Sequence, residues 1–262
     1  MTSAKLLAAL AASAVATAAH AKIQTKNVEY KQGDTVLQGF LAWDDAAKGK
    51  RPGVLIVHEW WGLNQHARNQ AVRVAKAGYV GFALDMYGKG KVTTHPKDAQ
   101  AFMHEATKDP QVAKARFDAA LALLKQQPQV DPDKIAVFGY CFGGGVALEM
   151  ARAGEPLDAV ATFHGMLKPN DGPAQPGAVK PAILVLAGGA DPMVTAEQVQ
   201  AFEQEMKSAG ARFEVITYPN AMHAFTNPDA DKAGVPGLKY DAQADKESWQ
   251  AATQFLKKVF GA

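Results

Sequence analysis

The hydrophobic pattern of the chain switches between two periods. Two segments in which apolar and polar residues alternate, "NVEYKQ" and "TVLQGFLAW", flank Gly33-Asp34 and predict a β-hairpin at a sheet edge. Beyond them the apolar runs become continuous: "PGVLIVHEW", "YVGFALDMYG", "DKIAVFGYC", "LDAVATFHG", "PAILVLAGGAD" and "RFEVITYP". Runs of this kind form strands buried on both faces. Helical stretches lie between them. "LNQHARNQAVRVAKAG" places apolar residues at Leu63, Ala67, Val72, Ala75 and Ala77 and closes on Gly78. "PKDAQAFMHEATKDPQVAKARFDAALALLKQQ" predicts helix with a break before Pro110, because the residue ahead of a proline disfavours the helical region. "FGGGVALEMARAG", "TAEQVQAFEQEMKSAG" with Thr195 as its cap, and "DAQADKESWQAATQFLKKVF" complete the set. Strand and helix alternate to the end, which predicts an α/β architecture with a mostly parallel sheet and helices on both faces. The Pro- and Gly-rich stretch 168–181 joins two strands and reads as a surface loop, so residues 22–262 form a single domain.

The first 21 residues follow another pattern. "MTSAKLLAALAASAVATAAHA" has one positive charge at Lys5, an apolar run over residues 6–19, and the small-x-small triplet Ala19-His20-Ala21. Those are the three regions of a secretory signal, with cleavage expected after Ala21 and a periplasmic destination. The run is too short and alanine-rich for a membrane span. Composition narrows the rest. A chain of 262 residues, 48% hydrophobic, supplies a large core. Its net charge of +2, with no basic stripe, gives nucleic-acid binding no electrostatic support. One cysteine makes neither a disulfide framework nor a metal cluster. No G-x-G-x-x-G follows the first strand, so no dinucleotide is implied and no cofactor is expected. The expected partner is a small molecule, met by a monomer.

In open α/β sheets ligands bind beyond the carboxyl ends of the strands. The residues there are His58-Glu59-Trp60-Trp61, Asp85-Met86-Tyr87, Cys141, His164, Asp191 and His223. "GYCFG", residues 139–143, has the form G-x-nucleophile-x-G at a strand-to-helix junction. Flanking glycines relieve the crowding of such a turn, and the helix start directs free N–H groups toward the sulfur. A nucleophile needs a base, and the base needs an orienting acid. Cys141, Asp191 and His223 follow the hydrolase chain order of nucleophile, acid, histidine. Asp85 is the rival acid.

Taken together, "LIVHEWWG", "FGYCFGGG", "LAGGADPMV" and "YPNAMHAFTNP" resemble the dienelactone hydrolase family across nearly the whole mature chain. The resemblance implies an α/β-hydrolase fold, with Cys141 as nucleophile, His223 as base and Asp191 as its orienter. It also implies an oxyanion hole of the Phe142 and Trp60 N–H groups, and Glu59 as the glutamate that controls the thiol. The implied activity is carboxylic ester or lactone hydrolysis through a thioacyl-enzyme, like that of a carboxymethylenebutenolidase. Two positions depart from the family pattern. Lys89 in "DMYGKG" and Asn227 in "HAFTNP" stand where arginines grip a substrate carboxylate, so dienelactone itself is in doubt as the substrate. Lys89, Tyr87, Trp61, Asn227 and His164 are the expected substrate-side residues. His58 reads as a strand-end structural histidine. His66, His95 and His104 are expected on helical or loop surfaces, and Glu149 and Glu155 as solvated charges. Two other functions stay open on these residues: a peroxide-reactive thiol protein, and a non-catalytic small-molecule binder.

Overall fold

In the computed structural model, residues 22–261 are described; the secretory leader expected over residues 1–21 lies outside them. The alternating segments form β1 (Ile23–Gln32) and β2 (Thr35–Asp44), paired antiparallel in register from Ile23–Asp44 to Gln32–Thr35. Gly33 takes the left-handed conformation that their two-residue turn demands, at φ 54°.

The continuous apolar runs form β3 (Arg51–Val57), β4 (Val80–Leu84), β5 (Val130–Tyr140), β6 (Ala159–Phe163), β7 (Ala182–Gly188) and β8 (Phe213–Tyr218). They make one eight-stranded sheet in the order β1-β2-β4-β3-β5-β6-β7-β8. The pairs β4–β3, β3–β5, β5–β6, β6–β7 and β7–β8 are parallel, whereas β1–β2 and β2–β4 pair antiparallel.

Helices α1 (Gln65–Lys76), α2 (Pro96–Thr107), α3 (Pro110–Lys125), α4 (Phe142–Arg152), α5 (Ala196–Ser208) and α6 (Ala242–Phe260) cover the sheet. Side chains alternate along each strand and feed two separate cores. Leu55 and Val57 of β3 pack with Phe117, Leu124, Ala147, Phe202 and Met206, under α3, α4 and α5. Val54 and Ile56 face the opposite way, toward Ala71 and Val74 of α1 and Ala252 and Leu256 of α6. The break ahead of Pro110 falls where the sequence places it: Asp109 caps α3 by accepting from the Gln111 N–H. Thr195 caps α5 in the same way through Gln198.

Three polar expectations are corrected. Glu149 and Glu155 are not solvated charges. Arg152, itself buried, binds Glu149 at 2.9 Å and Glu205 at 2.7 Å, and Glu155 pairs with Lys114. His66 is buried edge-on against the Tyr140 ring, and burial pushes its pKa down to about 4. Glu155 and His66 found partners far along the chain, and Glu149 joins the Arg152–Glu205 pair.

Candidate active site

The parallel strands end on one edge, and the loops that leave them supply the site. β5 runs into Cys141, and α4 begins at the next residue. Cys141 has φ 53° and ψ −117°, which is strained for a residue with a Cβ. The turn is possible because Gly139 and Gly143 lack side chains. A Cβ on Gly143 would lie 2.2 Å from the Val57 carbonyl oxygen, and one on Gly139 would lie 2.3 Å from that of Gly143. The Cys141 carbonyl is fastened by the N–H groups of Gly144 and Met166, at 2.9 and 3.2 Å. Cys141 is a free, partly exposed thiol.

β8 leads into a long loop that presents His223. The loop is held by backbone bonds from the His223 N–H to Gly237 at 3.1 Å and from the Lys239 N–H to the His223 carbonyl at 2.9 Å. His223 Nδ1 meets Asp191 Oδ2 at 2.8 Å, with both side chains buried. Its Nε2 has no hydrogen-bond partner among the described residues, and Cys141 is near enough to act on its charge. Burial alone lowers the His223 pKa. The Cys141 charge and the Asp191 hydrogen bond overcome that effect and push it up to about 10. The buried Asp191–His223 pair therefore favours the imidazolium form.

Asp85, the rival acid, is occupied elsewhere. Its Oδ1 accepts from the N–H groups of Tyr87 and Gly88, and its Oδ2 from that of Gln38. Glu59 is fully buried and receives the Asn227 side-chain amide at 2.6 Å. Burial raises its pKa to about 7, against the opposing effects of Asn227 and His223. Asn227 thus clamps Glu59, a use that the sequence does not show. Tyr87 is buried, and its hydroxyl donates to the Trp60 carbonyl at 3.1 Å. Trp61 is buried with Ala99, Ala224 and Leu238. His164 packs edge-on against the His223 ring at 5.2 Å, with its Nε2 2.8 Å from Thr226 Oγ1. Lys89 is turned away from this group: its ammonium pairs with Glu29 of β1 at 2.6 Å, on the exposed hairpin edge. The N–H groups of Trp60 and Phe142 donate to no protein acceptor among the described residues.

The sequence reading missed what surrounds these groups. His58 contacts the Glu59 carbonyl and the Met86 N–H, and Thr226 buttresses His164. Only the adjacency of His58 to Glu59 signalled any of this. Beside Phe142, a groove of about 530 Å³ runs along α4, with Met103, Val146, Met150 and Met166 among its walls.

Comparison with known proteins shows the family and the fold. A dienelactone hydrolase-like promiscuous phosphotriesterase from metagenomic libraries superposes with a TM-score of 0.85 at 36% identity, covering 90% of this chain and 98% of its own. An uncharacterized Caenorhabditis elegans protein is 40% identical over 148 residues, which are 56% of this chain and 94% of the relative. A dienelactone hydrolase from Anabaena variabilis, 20% identical, shares the fold at a TM-score of 0.63 over 91% of this chain and 97% of its own. The family model described as "Dienelactone hydrolase family" matches residues 37–260. The chain has the α/β-hydrolase fold and belongs to the dienelactone hydrolase family.

Proposed function

We propose that this chain hydrolyses carboxylic esters or lactones with Cys141 as its nucleophile. The observation that supports it most is the buried His223–Asp191 bond, with the second imidazole nitrogen, near Cys141, left free of partners among the described residues. In this reading the Cys141 thiolate adds to the carbonyl carbon, and the carbonyl π pair moves to oxygen. The N–H groups of Trp60 and Phe142 receive that oxyanion, a term often worth about 3 kcal/mol per donor. Collapse of the tetrahedral species expels the alkoxide, which takes the imidazolium proton from His223, and leaves a thioester on Cys141. Water, deprotonated by His223, then adds to the thioester carbonyl. The acid leaves, and the thiolate–imidazolium pair is restored. Asp191 keeps the Nδ1 proton in place and the Nε2 side toward the thiol throughout.

The departures from the family pattern support an uncharged substrate. Asn227 brings no charge and is committed to Glu59, while Lys89 is paired on the hairpin edge. The methionine-walled groove beside Phe142 offers an apolar seat for an acyl or alcohol chain. Export to the periplasm, with cleavage after Ala21, completes the proposal; N-terminal sequencing of protein recovered from its host tests it, and a start at Met1 overturns it.

Cys141→Ala is expected to remove turnover of a chromogenic acetate ester while the unfolding midpoint stays near that of the wild type. Undiminished turnover in that variant would sink the mechanism.

A further inference from the structure

We infer that His58 is the positioning residue of the oxyanion site and acts through the Glu59–Trp60 peptide. The inference rests on the ester-hydrolase reading above. His58 follows β3 and is buried. Its Nε2 lies 3.2 Å from the Met86 N–H, and a backbone N–H can only donate. Nε2 therefore holds the lone pair, and the single proton of the neutral ring sits on Nδ1. Burial lowers the His58 pKa and keeps the ring neutral, although the Glu59 carbonyl and the Asp85 carboxylate act the other way. Nδ1–H donates to the Glu59 carbonyl at 2.5 Å.

That carbonyl belongs to the same peptide unit as the Trp60 N–H. In a planar trans peptide the C=O and N–H point in opposite directions. Pinning the carbonyl from behind therefore aims the N–H forward. Drawing electron density toward the carbonyl oxygen also makes the N–H a stronger donor. The Gly62 N–H adds a longer bond to the same oxygen, at 3.3 Å. The next peptide is held as well, by the Tyr87 hydroxyl on the Trp60 carbonyl, and the Tyr87 ring packs edge-on against His58 at 4.7 Å. Through Met86, His58 ties this brace to the end of β4, so one ring fixes the oxyanion peptide against the sheet.

Two substitutions separate its two bonds. The amide nitrogen of asparagine falls near the position of histidine Nδ1, and the amide of glutamine falls near Nε2. His58→Asn thus keeps a donor for the Glu59 carbonyl and gives up Met86. His58→Gln keeps a partner for Met86 and gives up the Glu59 carbonyl. Three readouts are compared with the wild type: kcat and KM for p-nitrophenyl acetate, the rate of Cys141 alkylation by iodoacetamide, and the affinity for an alkyl trifluoromethyl ketone. The thiolate adds to that ketone, and its oxygen becomes an oxyanion in the same hole. His58→Gln is expected to lower kcat about 10- to 100-fold, with KM within about twofold, and to weaken the ketone equally. His58→Asn is expected to stay within about threefold of the wild type on each readout. Alkylation, which needs no oxyanion donor, is expected to hold in both. Equal losses in the two variants, or alkylation falling in step with kcat, overturn the inference. A wild type that binds the ketone but turns over no ester overturns the functional reading alone, because ketone affinities still rank the variants. A wild type alkylated at Cys141 that binds no ketone overturns both.

Discussion

Asp85 and Asp191 are nearly the same structure placed at two strand ends. Each is buried, and each uses Oδ1 to accept from the backbone N–H groups two and three residues ahead: Tyr87 and Gly88 for Asp85, Met193 and Val194 for Asp191. They differ in the second oxygen. Asp85 Oδ2 takes the Gln38 N–H of β2 and so joins the hairpin to the parallel sheet. Asp191 Oδ2 meets Nδ1 of His223 and so orients that imidazole. A turn motif common in any loop thus meets a buried imidazole in one case and a strand N–H in the other. The two residues can therefore be told apart by breaking only that second bond.

Asp191→Asn offers the largest separation. The asparagine oxygen can keep the two turn bonds, while its NH₂ faces Nδ1 of His223 and favours the wrong tautomer. We expect kcat to fall roughly 10³-fold or more, with the unfolding midpoint little changed, as measured by ester turnover and thermal melts on one preparation. A loss within about tenfold would return Asp191 to the status of a loop brace like Asp85.

Glu59 extends the comparison to a third buried carboxyl group. Three hydrogen bonds reach each aspartate, whereas one side-chain amide, that of Asn227, reaches Glu59. Its folded pKa is raised to about 7 from 4.5, chiefly by burial. The folded protein therefore binds more protons than the unfolded chain between these values. This group's stabilisation is complete below about pH 4.5 and is lost as pH rises through about 7, on the order of 3 kcal/mol in all. Urea unfolding across pH 4 to 8 should show the difference between wild type and Glu59→Gln changing by that amount within this window. The raised His223 pKa works in the same direction but at higher pH, from 6.5 to about 10, and largely cancels in the difference. A flat difference would mean that Glu59 is ionised throughout and held as firmly as the aspartates.

How much of this was legible depended on the range of each interaction. The elbow is local: Gly139, Cys141 and Gly143 share one turn, so the room that the two glycines leave can be read from five letters. The sheet and its helices were legible because continuous apolar runs and 3.6-residue periods are local as well. The acid–base pairing was legible in chain order only. That Asp191 and not Asp85 reaches His223 depends on a loop folding back over 32 residues. His58 was opaque because its contacts come from Met86, just past the end of β4, and from the geometry of the peptide beside it. Glu149, Glu155 and His66 misled for the same reason: Arg152 holds Glu149 to Glu205, Lys114 holds Glu155, and Tyr140 covers His66.

Asp85→Asn tests the other half of the comparison and is expected to read mainly in stability. The asparagine NH₂ would meet the Gln38 N–H, donor against donor, where a carboxylate oxygen now accepts at 3.1 Å. A loss of about 1–3 kcal/mol by urea unfolding is expected, with kcat within about tenfold of the wild type, because His58 takes its bond from Met86 one residue on. A kcat loss matching that of Asp191→Asn would erase the distinction between brace and catalytic acid.

The smallest expected effect belongs to Lys89, at the far end of the loop that Asp85 anchors. Sequence position alone sets Lys89 where a family arginine binds substrate, yet its ammonium rests on Glu29, with both side chains about half exposed. An exposed pair of this kind holds its geometry weakly and is screened by salt. Lys89→Ala should therefore leave kcat/KM for a neutral acetate ester within about twofold of the wild type. The decisive comparison is with an ester bearing a carboxylate at low salt. If the lysine stays with Glu29 when substrate is bound, neutral and anionic esters respond alike to the substitution. If it leaves Glu29 to neutralise the substrate, the anionic ester alone loses about tenfold or more, and Glu29→Gln raises its turnover by freeing the same ammonium. The pair of variants thus distinguishes a hairpin clasp from a carboxylate grip at one residue, and the clasp predicts two null results.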